Sequence, residues 1–195
     1  MLRRLSFLLL LSIFFTNCNL KNGQVQWDNA AIDTNISNDS VYRQLDKENE
    51  IFSALEKIES SMKRTSDVKY LTGKKINLGE YSNSKYNNCR AYFHSETLSI
   101  NVGIGNGFGG QGFIINYKDN KFYTEPYFST DVIYPGEIEP SYKIIYQKLK
   151  LDKVRYSLGD SLYGHIDFKS IETDKENNKT EHFGKGYFRA KVTEL

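Results

Sequence analysis

The sequence predicts an α+β domain: one N-terminal amphipathic helix covering a mostly antiparallel β-sandwich or barrel-like sheet. Three observations carry this. Apolar residues recur at helical spacing between Val41 and Arg64, and beyond Gly73 the period of the apolar pattern changes to two. Turn-forming residues then separate the alternating stretches at short intervals, at Asp119-Asn120, at 157–160 and at 175–179.

The helix is read from Val41, Leu45, Ile51, Phe52, Leu55, Ile58 and Met62, with Lys47, Glu48, Glu56, Lys57 and Glu59 facing elsewhere. Asp39 or Ser40 supplies the N-cap. Each of these apolar side chains is worth about 1.5–3 kcal/mol when fully buried, so the stripe must cover a sheet or a partner, and the protein's own sheet is the expected one.

The strands follow. Ile76 and Leu78 open the alternation, and Leu98, Ile100, Val102 and Ile104 give its cleanest example. Strands at 113–117 and 122–128 flank the Asp119-Asn120 turn, and Tyr142 to Leu151 forms another. Leu162, Ile166 and Phe168 share one face of the next strand, with His165, Asp167 and Lys169 on the other. Phe188, Ala190 and Val192 point inward on the return strand, against Tyr187, Arg189 and Lys191 outward. Cys89 alternates with Ala91 and Phe93 and reads as a small buried thiol.

The first eighteen residues set the address. Arg3 and Arg4 precede an apolar run from Leu5 to Phe15, too short to span a bilayer, where about 20 residues are needed, but suited to a secretory signal. At Phe15-Thr16-Asn17-Cys18 the segment resembles the lipobox of bacterial lipoprotein precursors, in the looser form of Bacteroidetes-type lipoproteins. The resemblance covers the signal and not the domain behind it. It implies cleavage before Cys18 and lipid on that cysteine. Without an acidic residue close behind Asn19, it further implies sorting to the outer membrane of a Gram-negative cell envelope. Several acyl chains at about 0.8 kcal/mol per buried CH2 make such an anchor durable. The expected organisation is a signal peptide at 1–17, a lipid-anchored flexible tether at 18–40 and one globular domain at 41–195. The tether holds Trp27, the single tryptophan of the chain, which is expected to dock on the domain.

Arg3 and Arg4 account for the whole net charge of +2, so the chain behind the signal is neutral. Neutrality with interspersed signs leaves no footprint for nucleic acid. No cofactor is expected either. The run from Gly103 to Gly112 contains a formal G-x-G-x-x-G, but it leads into a strand and offers no helix N-terminus to a phosphate. His94, His165 and His182 fall on separate elements without metal-ligand spacing. Ser161 stands four strand positions from His165, roughly 13 Å at about 3.3 Å per residue, too far for a nucleophile and its base. No catalytic residue is assigned.

One stretch carries a binding expectation. Residues 122–142 interleave aromatic rings with carboxylates, and Tyr123, Glu125, Tyr127, Tyr134 and Glu137 are the candidate ligand-binding residues. Rings and carboxylates suit either a protein hot spot or a sugar. The leading expectation is an exported lipid-anchored protein whose domain binds an envelope protein without catalysis, including an inhibitor or immunity role. The alternative is a glycan- or peptidoglycan-binding lipoprotein, or a hydrolysing one using Glu125, Glu137 or Glu139.

Overall fold

The computed structural model describes residues 25–51, 59–74, 88–105, 109–131 and 140–195. The period-two pattern builds two antiparallel meanders. The first comprises β6 (Asn88–His94), β7 (Thr97–Gly105), β8 (Gly109–Lys118) and β9 (Lys121–Thr130). The second comprises β10 (Ser141–Leu151), β11 (Ser161–Thr173) and β12 (Lys179–Glu194). At the β8–β9 hairpin, Asp119 and Asn120 both take positive φ, the demand of a tight two-residue turn that matches strand twist. The end of β12, Val192–Glu194, pairs in parallel with Ala91–Phe93 of β6 and joins the meanders into one sheet. β5 (Lys69–Gly73) lies antiparallel along the earlier part of β12.

The two edges of that sheet, β9 and β10, are brought together by a short N-terminal strap. β1 (Asp28–Asn29) pairs with Lys121 and Phe122 of β9, while β2 (Ala31–Ile32) pairs in parallel with Lys150 and Leu151 of β10. Between and beyond them, Ala30 N–H donates to Asn120 at 2.9 Å and Asp33 N–H to Leu151 at 2.9 Å. The result is a nearly closed barrel-like sheet. The C-terminal part of the expected tether, from Val25 onward, is built into this barrel; Cys18 lies outside the described residues.

Inward positions fill the interior. Phe113, Phe122, Phe168 and Phe188 are fully buried with Ile100, Ile115, Leu151, Leu162 and Ile166. The inward and outward faces of β11 and β12 follow the alternation expected from the sequence, and Cys89 is buried, its thiol pushed up by loss of solvent. Two strand glycines make room for the rings: a Cβ on Gly164 would strike Phe188, and one on Gly184 would strike Phe168.

The N-terminal helix is the expectation the structure corrects, and with it the α+β class. The fold is mostly β, and the helix α1 covers Ser40–Leu45 alone, capped by the Asp39 carboxylate on Val41 N–H. Beyond Asp46 the chain turns into β3 (Asn49–Ile51), which pairs with β4 (Glu59–Lys63); residues 52–58 lie outside the described residues. The cause is a tertiary charge clasp that outweighs a helical period interrupted by five polar residues at 46–50. Buried Glu50 accepts from Arg90 at 2.5 and 2.7 Å and from the Thr65 hydroxyl at 2.6 Å. Glu48 pairs with Arg64 at 2.6 Å, and Asp46 with Arg189 at 2.7 Å. A carboxylate as deeply buried as Glu50 is tolerated only when paired and hydrogen-bonded, so these contacts fix the segment flat against the barrel wall. The surviving turn of helix keeps its inward residues: Tyr42 and Leu45 are buried, and the Tyr42 hydroxyl reaches the carbonyls of Gly164 and Phe188.

Candidate functional site: the seam between β9 and β10

Above the strap, β9 and β10 are not paired with each other among the described residues. A side-chain amide spans them. Buried Gln147 of β10 accepts the Thr124 N–H of β9 at 2.9 Å, and its NH2 donates to Gln26 C=O at 3.0 Å and to the Asp28 carboxylate at 2.9 Å. Two strands and the strap thus meet on one side chain. Past this stitch the wall opens into a groove of about 400 Å³, within the size range of ligand pockets. Tyr123, Thr124 and Glu125 line it from β9, and Tyr142, Lys143 and Ile144 from β10. Val25 and Gln26 of the N-terminal segment complete it.

Tyr123 and Glu125, both singled out in the sequence, stand together in this groove. Trp27 docks on Tyr123 edge to face, ring centroids 4.7 Å apart at 76°. Partial burial and the Glu125 carboxylate push the Tyr123 phenol up. Tyr127 is separated from them. Its hydroxyl donates to the Asn101 carboxamide oxygen at 3.1 Å, and a Cβ on Gly103 would collide with that hydroxyl. Gly103 therefore leaves room for this ring on the wall. Tyr134 and Glu137 lie outside the described residues.

The groove is continuous with a polar chain that the sequence did not reveal. The Tyr142 ring stands edge-on to His182, centroids 6.2 Å apart. His182 is buried, with Nε2 2.9 Å from the Glu172 carboxylate and Nδ1 2.8 Å from the Tyr70 hydroxyl. A carboxylate only accepts, so Nε2 carries the proton and the Tyr70 O–H donates to Nδ1. Burial lowers the His182 pKa, opposed by Glu172, and burial raises that of Tyr70. Both ring nitrogens are engaged. The register of the β11–β12 hairpin was the available signal: it sets His182 opposite Ser170, hence diagonal to Glu172. Nothing in sequence spacing brought Tyr70 there.

On the outer wall beside the strap, hollows of about 320 and 360 Å³ share Lys150 and His165. His165 packs edge-on against Tyr187 at 4.7 Å, and burial lowers its pKa. Among the described residues no group of three or more His, Cys, Asp or Glu is placed to hold a metal ion. No protein-family model matches the chain, and neither the curated proteins nor the solved structures include a match.

Proposed function

We propose that the chain is an exported envelope protein, anchored through lipid on Cys18 in the outer membrane of a Gram-negative bacterium, whose barrel binds a protein partner without catalysis. An inhibitor or immunity role falls within this reading. The observation that carries it is the concentration of exposed apolar side chains on the elements bordering the seam. Val25 and Trp27 precede and enter the strap, Phe128 lies on β9 and is 77% exposed, and Ile145 is the bulged residue of β10. Large apolar and aromatic groups around a recess with hydrogen-bonding walls are the composition of a protein hot spot. Pro126 on β9 works against a different mode. Its position follows the parity of Thr124, whose N–H faces the seam, so the edge lacks one donor for strand addition.

A second reading is favoured by the groove walls, where Tyr123, Tyr142 and Glu125 offer rings and a carboxylate to a sugar. The two are separated by affinity capture with the full lipidated chain from its own envelope. The partner reading expects one protein, retained by the wild type and lost with Tyr123→Ala; capture of muropeptides or glycans without a protein contradicts it, as does turnover of an envelope substrate. The anchor is checked separately: Cys18→Ser shifts the protein from the membrane fraction to the soluble one, and unchanged fractionation removes the lipid assignment.

A further inference from the structure

Behind its signal the chain is neutral, but its charges are not evenly spread. β10 carries Lys143, Lys148 and Lys150 and no acid. Gln147, Leu149 and Leu151 are buried between and beyond the last two, and half-buried Tyr142 and Ile144 flank the first. The lysines therefore share the outer face, in a row roughly 20 Å long at about 3.3 Å per residue. All three are exposed, and among the described residues none is in an ion pair. Nearby acids are engaged elsewhere. Asp167, opposite Lys148 in register, pairs with Lys185 at 3.0 Å. Asp33 accepts Asn35 N–H and Asp39 accepts Val41 N–H, each at 3.1 Å, and Asp28 is held by Gln147. Glu125 stands in the groove wall opposite Lys143.

Exposed Ile145 and Tyr146 interrupt the row, and Trp27 of the strap adds an exposed indole beside it. Lysines deter sheet extension from an edge strand, but that role calls for neither the aliphatic side chain nor the rings. Ammonium groups on long stems, interleaved with an aliphatic side chain and amphipathic rings, are the composition of a surface that meets lipid headgroups.

The path of the chain points to the same side. β1 is antiparallel to β9, so the residues ahead of Asp28 run up the seam, and Val25 lies in the groove wall. Cys18 stands seven residues before Val25, a reach of at most about 25 Å even when fully extended. An anchor there holds the seam side of the barrel, and with it β10, at the bilayer. β6 lies across the sheet from the seam, on the side turned away.

We propose that the outer face of β10, through Lys143, Lys148 and Lys150 with Ile145, Tyr146 and the strap's Trp27, docks on the anionic phospholipid surface of the membrane that holds the chain; this rests on the lipid anchor at Cys18 proposed above. The groove and Phe128, on the β9 side, stay open to a protein partner, which is then met at the bilayer surface.

Trp27, the single tryptophan, reports the contact. The lipidated chain, purified from its envelope, is reconstituted in vesicles of phosphatidylcholine alone and of phosphatidylcholine with a quarter phosphatidylglycerol. Each carries a nitroxide-headgroup lipid, and quenching of Trp27 is read. Quenching about threefold greater with phosphatidylglycerol than without is expected, falling to the phosphatidylcholine level when salt is raised to about 0.5 M. Lys143→Glu, Lys148→Glu and Lys150→Glu together abolish the difference, since each basic group at an anionic surface multiplies binding by about fivefold. Lys→Arg at the same three positions preserves it. The lipid and salt comparisons use the wild type and need no variant to fold. Equal quenching in the two lipids overturns the proposal, because the tether alone then sets the position of Trp27. So does undiminished quenching in the Lys→Glu variant, which leaves the lysines as guards of an edge strand. The anchor and the surface fail differently. A lipidated chain quenched alike in both lipids keeps the anchor and loses the surface; an exported chain without lipid that is quenched from solution only by the phosphatidylglycerol vesicles does the reverse.

Discussion

The seam between β9 and β10 is closed in two different ways along its length. At the strap, backbone ladders from Asp28 to Ile32 pair with both strands, and Ala30 and Phe122 are buried. Two residues further along β9, at Thr124, a side-chain amide replaces the backbone ladder, and beyond Gln147 the strands part around a groove. In the strapped half, backbone groups of the strap bond to both strands. The open half leaves the apolar side chains of Val25, Phe128 and Ile145 in water.

Adjacent residues of β9 sharpen this contrast. Phe122→Ala removes a fully buried ring opposite Asp28 and costs about 3–5 kcal/mol, measured by denaturant unfolding. Tyr123→Ala, one position on and facing the groove, stays far below that loss while partner capture disappears; if both variants lose stability equally, the division of the seam is wrong. Gln147→Leu keeps approximate volume but strands the Thr124 N–H, and costs about 1–3 kcal/mol. A loss confined to a few tenths would show that the strap alone closes the wall.

The smallest effect is a pH dependence. His182 and His165 both have folded pKa values lowered by burial from the ordinary 6.5, so the folded chain binds fewer protons than the unfolded one. Their contribution is fully present above about pH 6.5. It declines as pH falls from there toward the lowered folded values. His182→Gln flattens that slope between pH 7 and 5 in urea midpoints. An unchanged slope places the titration elsewhere, outside the chain that joins Tyr142 to Tyr70.

What was legible in the sequence follows from period. Strands from Leu98 to Val192 alternate cleanly because one face is buried, and a slip of one residue would expose Ile100, Phe168 or Phe188. The helix failed because helical spacing in 51–62 competes with the buried Glu50–Arg90 pair, a contact between residues 40 apart that no local pattern shows. The strap was hidden for a similar reason. Asp28 to Ile32 is short and shows no alternation of apolar and polar residues, and it becomes strand because two unpaired edges need its backbone groups. Of the residues that line the groove, Tyr123 and Glu125 were singled out from their chemistry, and Trp27 was expected to dock on the domain. Thr124, Gln147 and Tyr142 were missed because their roles exist only where β9 and β10 diverge.

The claim that the open half of the seam is the binding face is tested most directly by placing a photo-crosslinking amino acid at Tyr123, and in a second variant at Tyr92 on β6, in the full lipidated chain in its own envelope. One protein crosslinked from position 123 and absent from position 92 is the predicted result. The same adducts from both positions, or muropeptides alone from position 123, would contradict it.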